Sequence, residues 1–151
     1  MSQSLAQIYV HIIFSTKGRR PLLQNDSLRA EVHRYLGGVC RNLESRAIAI
    51  GGVAHHVHIL CRLSRTKTVA VLVRELKRES SKWIKSKEPA LSNFHWQDGY
   101  GAFSISPSHL AALQRYIANQ AKHHQRESFQ SEFRRILEKY GVEYDERYVW
   151  D

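Results

Sequence analysis

Apolar and polar positions alternate along residues 5–15, "LAQIYVHIIFS". Successive side chains of an extended chain point to opposite faces. Ile8, Val10, Ile12 and Phe14 therefore share one side, and Tyr9, His11, Ile13 and Ser15 the other. The pattern predicts a strand partly covered on both faces. The basic loop "TKGRRP" follows, broken by Gly18 and Pro21. Asn25, Asp26 or Ser27 can cap a helix over about 27–43, with a stripe of Leu28, Val32, Tyr35, Leu36, Val39 and Leu43. Gly37-Gly38 weakens that helix and predicts a kink. "RAIAIGGVAHHVHILCRL" reads as two strands, about 46–52 and 56–63, joined by a tight turn. In the second, Val57, Ile59, Cys61 and Leu63 share an apolar face, while His56, His58 and Leu60 share the opposite one.

Residues 68–86 return to helical spacing, with Val69, Leu72, Val73, Leu76, Trp83 and Ile84 in the stripe. The aromatic stretch "FHWQDGYGAFSIS", residues 94–106, predicts a strand in which Gly99 and Gly101 permit a bulge or a close neighbour. Ser106-Pro107 opens a helix to about residue 124, and a last helix over about 129–140 carries Phe129, Phe133, Ile136, Leu137 and Tyr140. Gly141 ends it, and the aromatic tail "VEYDERYVWD" is expected to dock. The order β-α-β-β-α-β, then two helices, is that of a split βαβ or ferredoxin-like α+β fold with an antiparallel sheet. One domain spanning residues 1–151 is expected. Its first two helices cover one face, leaving the other, with the histidine pair on a central strand, open for function.

Composition narrows the partners. No apolar run reaches the roughly 18–20 residues that cross a bilayer, and the N-terminal stretch lacks the pattern of a secretion signal. Cys40 and Cys61 have no metal-type or redox-type spacing, which suits reduced thiols in a cytoplasmic protein. Against 14 Asp and Glu stand 23 Lys and Arg, a net charge of +9. A small basic domain most often meets a polyanion, and nucleic acid is favoured over a membrane because no helix has an apolar face backed only by Lys and Arg.

His56 and His58 lie two apart on a strand, so both imidazoles project the same way and can hold a cation. A plain surface strand can carry the same pair, and two ligands hold a catalytic cation poorly. The helix after Pro107 offers a third: Tyr116 and Gln120, four apart, flank the stripe Leu110, Leu113, Ile117 and Ala121. A Gln amide oxygen suits Mg²⁺ or Mn²⁺. On these residues alone, an ordinary boundary tyrosine at 116 and a solvated helix residue at 120 are the favoured readings. His123 and His124 are either substitute ligands or polar helix-end residues. His11, His33, His95 and His109 have no partner the sequence identifies.

"HHVHIL" resembles the histidine–hydrophobe–histidine motif, and "YIANQ" the tyrosine motif, of the single-tyrosine (HUH) transposases of bacterial insertion sequences of the two-hundred and six-hundred-five type, whose relatives include the REP-associated tyrosine transposases. "VHIIFSTKGRRPLL", "WQDGYGAFSIS" and "EFRRILEKYGVEYDERYVW" extend the likeness over nearly the whole chain. One departure is His55, where these proteins often have Asp. The resemblance implies that His56, His58 and Gln120 bind a divalent cation, Mg²⁺ or Mn²⁺, and that Tyr116 is the nucleophile. It implies a homodimer whose tyrosine helix can serve the partner subunit, acting on single-stranded DNA with hairpin ends near the bacterial nucleoid. Lys17, Arg19, Arg20, Arg74, Lys77, Arg78 and Lys82 are the expected backbone contacts, and Trp96, Tyr100 and Phe103 the expected stacking platforms. Two other readings fit parts of the pattern: a non-catalytic nucleic-acid module of the same fold, and a zinc hydrolase, which wants a third His, Asp or Glu ligand.

Overall fold

The computed structural model describes residues 1–151. Four strands, β1 (Ile8–Ser15), β2 (Ala47–Val53), β3 (His56–Leu63) and β4 (Gly101–Ile105), form one sheet in the order β2-β3-β1-β4. Every neighbouring pair is antiparallel. The helices are α1 (Asp26–Asn42), α2 (Val69–Lys87), α3 (Leu110–Ala118), α4 (Gln120–His123) and α5 (Phe129–Lys139). This is the expected split βαβ order with two units added at its end. No helix is long and apolar enough to cross a membrane.

The sheet has two faces with different jobs. On the first, Val10, Ile12 and Phe14 of β1 and Val57, Ile59 and Cys61 of β3 pack against Val32 and Leu36 of α1 and Leu72, Leu76 and Ile84 of α2. Cys40 and Cys61 are buried free thiols in this core. Asn25 caps α1 by accepting from the Leu28 amide, and Thr68 caps α2 by accepting from Val71. The expected kink at Gly37-Gly38 is absent. α1 runs through both glycines, because the buried Val32, Leu36, Val39 and Cys40 hold it against the sheet.

The second face is not open. Leu60, Ile105 and Ile117 cluster beneath α3, and Ile13 and Phe103 pack with Phe129, Phe133, Ile136 and Leu137 of α5. The sequence reading missed this because it gave the last two helices no docking face. Ile13, Leu60, Phe103 and Ile105, on the face opposite the first core, receive their apolar stripes. The tail docks as expected: Trp150 packs on Phe129 and Phe133, and the Gly99 amide donates to the Asp151 carbonyl.

Two predicted elements break. The strand expected over residues 94–106 is paired regularly only over Gly101–Ile105, with one isolated bridge from Trp96 to Thr16. The backbone before Gly101 finds other partners: the Lys77 ammonium donates to the carbonyls of Gln97, Asp98 and Gly99. The helix expected over residues 107–124 divides at Asn119, whose φ of −101° and ψ of 20° leave the helical range. Just before the break, the Ile117 carbonyl presses on Gly51 of β2, where any Cβ would collide with it. Gly51 is paired with His58, so this close approach sets the height of α3 over the histidines. Gly51→Ala should destabilise the fold by about 1–3 kcal/mol in urea denaturation. It should slow any reaction at Tyr116 by roughly 100-fold, the usual cost of an ångström of misplacement.

His33, on α1, is held in its neutral form. Burial, then the nearby Arg29 charge, lowers its pKa to about 4. The unfolded chain binds this proton below about 6.5, whereas the fold refuses it until about 4. Stability should therefore fall by at most about 3 kcal/mol as pH drops through that window. His33→Gln should flatten that part of a pH series of denaturation curves.

Candidate active site and metal centre

β3 begins at the two-residue turn Ala54-His55, pinned by amides of Thr16 and Leu23 that donate to the carbonyls of His55 and Ala54. The turn fixes the first residues of β3, so His56 and His58 project together from the second sheet face, both fully buried. Burial, then the neighbouring His58, holds His56 well below the ordinary histidine pKa. A neutral imidazole is the form that ligates a cation.

Three helices bring groups to this pair. From α4, the Gln120 amide oxygen lies 2.9 Å from His56 Nε2. From α5, Glu132 Oε1 lies 3.1 Å from His58 Nε2 and 3.6 Å from His56 Nε2. His124, just past α4, brings its Nε2 to 3.2 Å from the same oxygen. Ligand atoms of His56, His58, His124 and Glu132 all lie within 4.8 Å of one another. His124 Nδ1 is buried without a hydrogen-bond partner. From α3, the Tyr116 hydroxyl donates to Glu132 Oε2, which also accepts from the Gln120 amide at 3.2 Å. Arg135 Nη2 donates to the Tyr116 oxygen at 3.1 Å.

Glu132 is the centre of this network and is completely buried. Burial opposes its ionisation, yet hydrogen bonds from His124 and His58, the His58 charge and the Tyr116 hydroxyl outweigh it and hold the carboxyl far below the usual range. Tyr116 is shifted the other way: burial, then the Glu132 carboxylate, pushes the phenol up, with Arg135 pulling it back in part. The phenol thus keeps its proton at neutral pH and is set beside an acceptor for it.

The structure gathers Tyr116, Gln120, His56 and His58 of one chain into one place. It adds Glu132, His124 and Arg135, of which sequence reasoning left out Glu132 and Arg135. Glu132 carried a signal: it follows Phe129 by three and precedes Ile136 by four, so a carboxylate stands in the buried stripe of α5. His11, without a partner in sequence terms, places its Nε2 2.8 Å from His58 Nδ1.

The basic residues are dispersed. Arg74, Lys77, Arg78, Lys82 and Lys85 line a groove of about 530 Å³ between α2 and residues 95–100, with Tyr100. α2 covers the sheet face opposite the histidines, so this groove does not adjoin Tyr116. Lys77 is turned to backbone carbonyls, and burial, opposed by Asp98, lowers its pKa to about 8. Lys17 pairs with Asp98 at 3.7 Å, Arg19 lies over the Trp150 ring, and Arg20 is exposed. Two expected stacking platforms are core residues instead: Trp96 is 4% and Phe103 5% exposed. Trp96 meets Phe14 and Phe94 edge-on, and Phe103 fills the α5 interface. Tyr100 remains exposed.

A buried imidazole–carboxylate cluster that could hold a metal ion, with a phenol against it, lies on one face of a split βαβ sheet. Residues 4–120 match the family model described as "Transposase IS200 like", and the chain belongs to that family. It is a transposase, a DNA strand transferase. Among solved structures it is similar to a candidate transposase of Deinococcus radiodurans R1, with a TM-score of 0.61 and 22% identity over 80% of this chain and 98% of that one. It is also similar to a REP-associated tyrosine transposase bound to a REP hairpin, with a TM-score of 0.59 and 18% identity over 82% of this chain and 74% of that one. At these identities the likeness establishes the fold. No curated protein sequence matches the chain.

Proposed function

We propose that this transposase cuts single-stranded DNA by attack of the Tyr116 oxygen on a backbone phosphate, and rejoins it by the reverse step. The new bond joins phosphorus to the phenol oxygen, and the bond to the 3′ oxygen breaks. The phenol proton passes toward Glu132 Oε2, and the 3′ oxygen leaves with the bonding pair and takes up a proton. The 5′ end stays on tyrosine as an aryl phosphate ester. That ester has a good leaving group, so a 3′-OH can displace it without ATP, whereas attack by water would make the cut irreversible. The observation that carries this reading is the Tyr116 hydroxyl bonded to the carboxylate that His58 and His124 share.

The donor set fits a divalent cation. His56, His58, His124 and Glu132 would hold it, with Gln120 beside His56. Bound there, the cation neutralises phosphate charge and stabilises the charge that develops during displacement. Three imidazoles with one carboxylate favour Mn²⁺ over the all-oxygen preference of Mg²⁺. Burial holds His56 neutral and, with His58 and Glu132 fully buried, excludes water. Arg135 holds the phenol oxygen.

The substrate is single-stranded DNA beside a hairpin, in the bacterial cytoplasm where DNA lies. The net charge of +9 and the groove along α2 support it, with Lys17, Arg19, Arg20, Arg74, Arg78 and Lys82 as backbone contacts. The hairpin in a structure similar to this one supports the same substrate class. Tyr116 lies against the histidines of its own chain, which supports a reaction within one chain. Incubation with single-stranded DNA and Mn²⁺ should give a covalent protein–DNA adduct resistant to denaturation, and EDTA should prevent it. Nicked DNA with no adduct, released as free 5′-phosphate, would favour hydrolysis by a metal-bound water.

A further inference from the structure

We propose that a slot between α3, α5 and the end of β4 seats the unpaired nucleobase adjoining the phosphate that Tyr116 attacks. This rests on the chemistry proposed above. The slot encloses about 250 Å³, below the ~300–1,000 Å³ of pockets for drug-sized ligands. Such a size suits one planar heterocycle. Ile105, Leu113 and Ile136 make apolar walls, and Tyr140 adds an aromatic one. Tyr116 itself lines the slot, so the phenol and the space are continuous.

A nucleotide brings apolar faces, an anionic phosphate and a polar edge, and the slot answers each. The walls take the faces. Arg135 and Lys139 line the slot and no carboxylate does, which suits the phosphate. The edge falls to His11, which is 3% exposed and whose ring makes a single hydrogen bond, through Nε2 to His58 Nδ1 at 2.8 Å. For His58 to offer Nε2 to a cation, its Nδ1 must carry the proton and donate to His11 Nε2. The neutral His11 ring then carries its own proton on Nδ1. His11 lines the slot, and this N–H has no protein partner. A ring nitrogen or carbonyl oxygen of a base would accept it. One hydrogen-bonded pair thus links the cation site to the base site.

The test is a titration of the isoleucine and leucine methyl resonances with each of the four deoxynucleoside 5′-monophosphates. At least one should shift Ile105, Leu113 and Ile136 while leaving Ile59 and Leu72, on the other sheet face, unmoved. Tyr140→Ala should weaken the response about ten-fold, and Ile136→Trp, which fills the slot, should abolish it. Deoxyribose 5-phosphate, which has no base, should give no shift. No shift with any nucleotide, or equal shifts with the sugar phosphate, would overturn the proposal. The readout needs no cleavage. An adduct on Tyr116 without methyl shifts sinks the slot alone. Shifts in a protein that never forms an adduct leave a nucleotide site and sink the strand-transfer mechanism.

Discussion

Tyr116→Phe abolishes the covalent adduct, lowering its rate of formation at least ~10⁴-fold, the scale of losing a nucleophile, and leaves binding of single-stranded DNA intact. The substitution removes one oxygen and keeps the ring, which stacks edge-on near His58 with centroids 5.9 Å apart. Glu132 Oε2 retains its bond from Gln120, so the cluster has no reason to collapse. The proposed mechanism uses the phenol and the histidines of one chain. Tyr116, His56 and His58 come together within one molecule, so mixing Tyr116→Phe with His56→Ala protein should not restore activity. Restoration would mean that the phenol of one subunit serves the histidines of another, the arrangement the resemblance allows and a single chain does not require.

Glu132→Gln has the second largest effect. It preserves shape but removes the buried charge on which His58, His124, Tyr116 and Gln120 converge. Hydrogen bonds to an ionised group are worth about 1.5–3 kcal/mol each. Part of that returns through the amide, so a loss near 3 kcal/mol in denaturant is expected. Affinity for Mn²⁺, read by calorimetry, should fall by about 10–100-fold or more, the range seen when groups that support a metal site are removed. Unchanged stability together with unchanged Mn²⁺ affinity would make Glu132 a bystander. A loss of stability with normal Mn²⁺ binding would confine it to holding α5 in place.

Local periodicity carried most of the fold. The alternation in β1 and β3 separated the apolar face of Val57, Ile59 and Cys61 from that of His56 and His58, and the structure keeps this division. It could not say what covers the histidine face, because packing of α3 and α5 depends on contacts far apart in sequence, such as Gly51 against Ile117 and Gly101 against Phe133. The break at Asn119 follows from the same approach and is invisible to a count of helical turns. Spacing singled out Tyr116 and Gln120, but only the likeness of "YIANQ" to the tyrosine motif gave them roles. Glu132 was less legible, since a carboxylate inside an apolar stripe reads as an interruption until the imidazoles opposite it are known. Trp96 and Phe103 were misread for a related reason: an aromatic residue near glycines and charges looks like a platform, but its burial is settled by Phe14, Phe94 and Phe133 from elsewhere in the chain.

The most direct measurement is peptide mapping by mass spectrometry of protein incubated with single-stranded DNA and Mn²⁺. The modification should fall on the peptide containing residue 116, as a nucleotide joined through its 5′-phosphate to the tyrosine. A nucleotide carried by any other residue, or DNA cut in full with every peptide unmodified, would contradict the account.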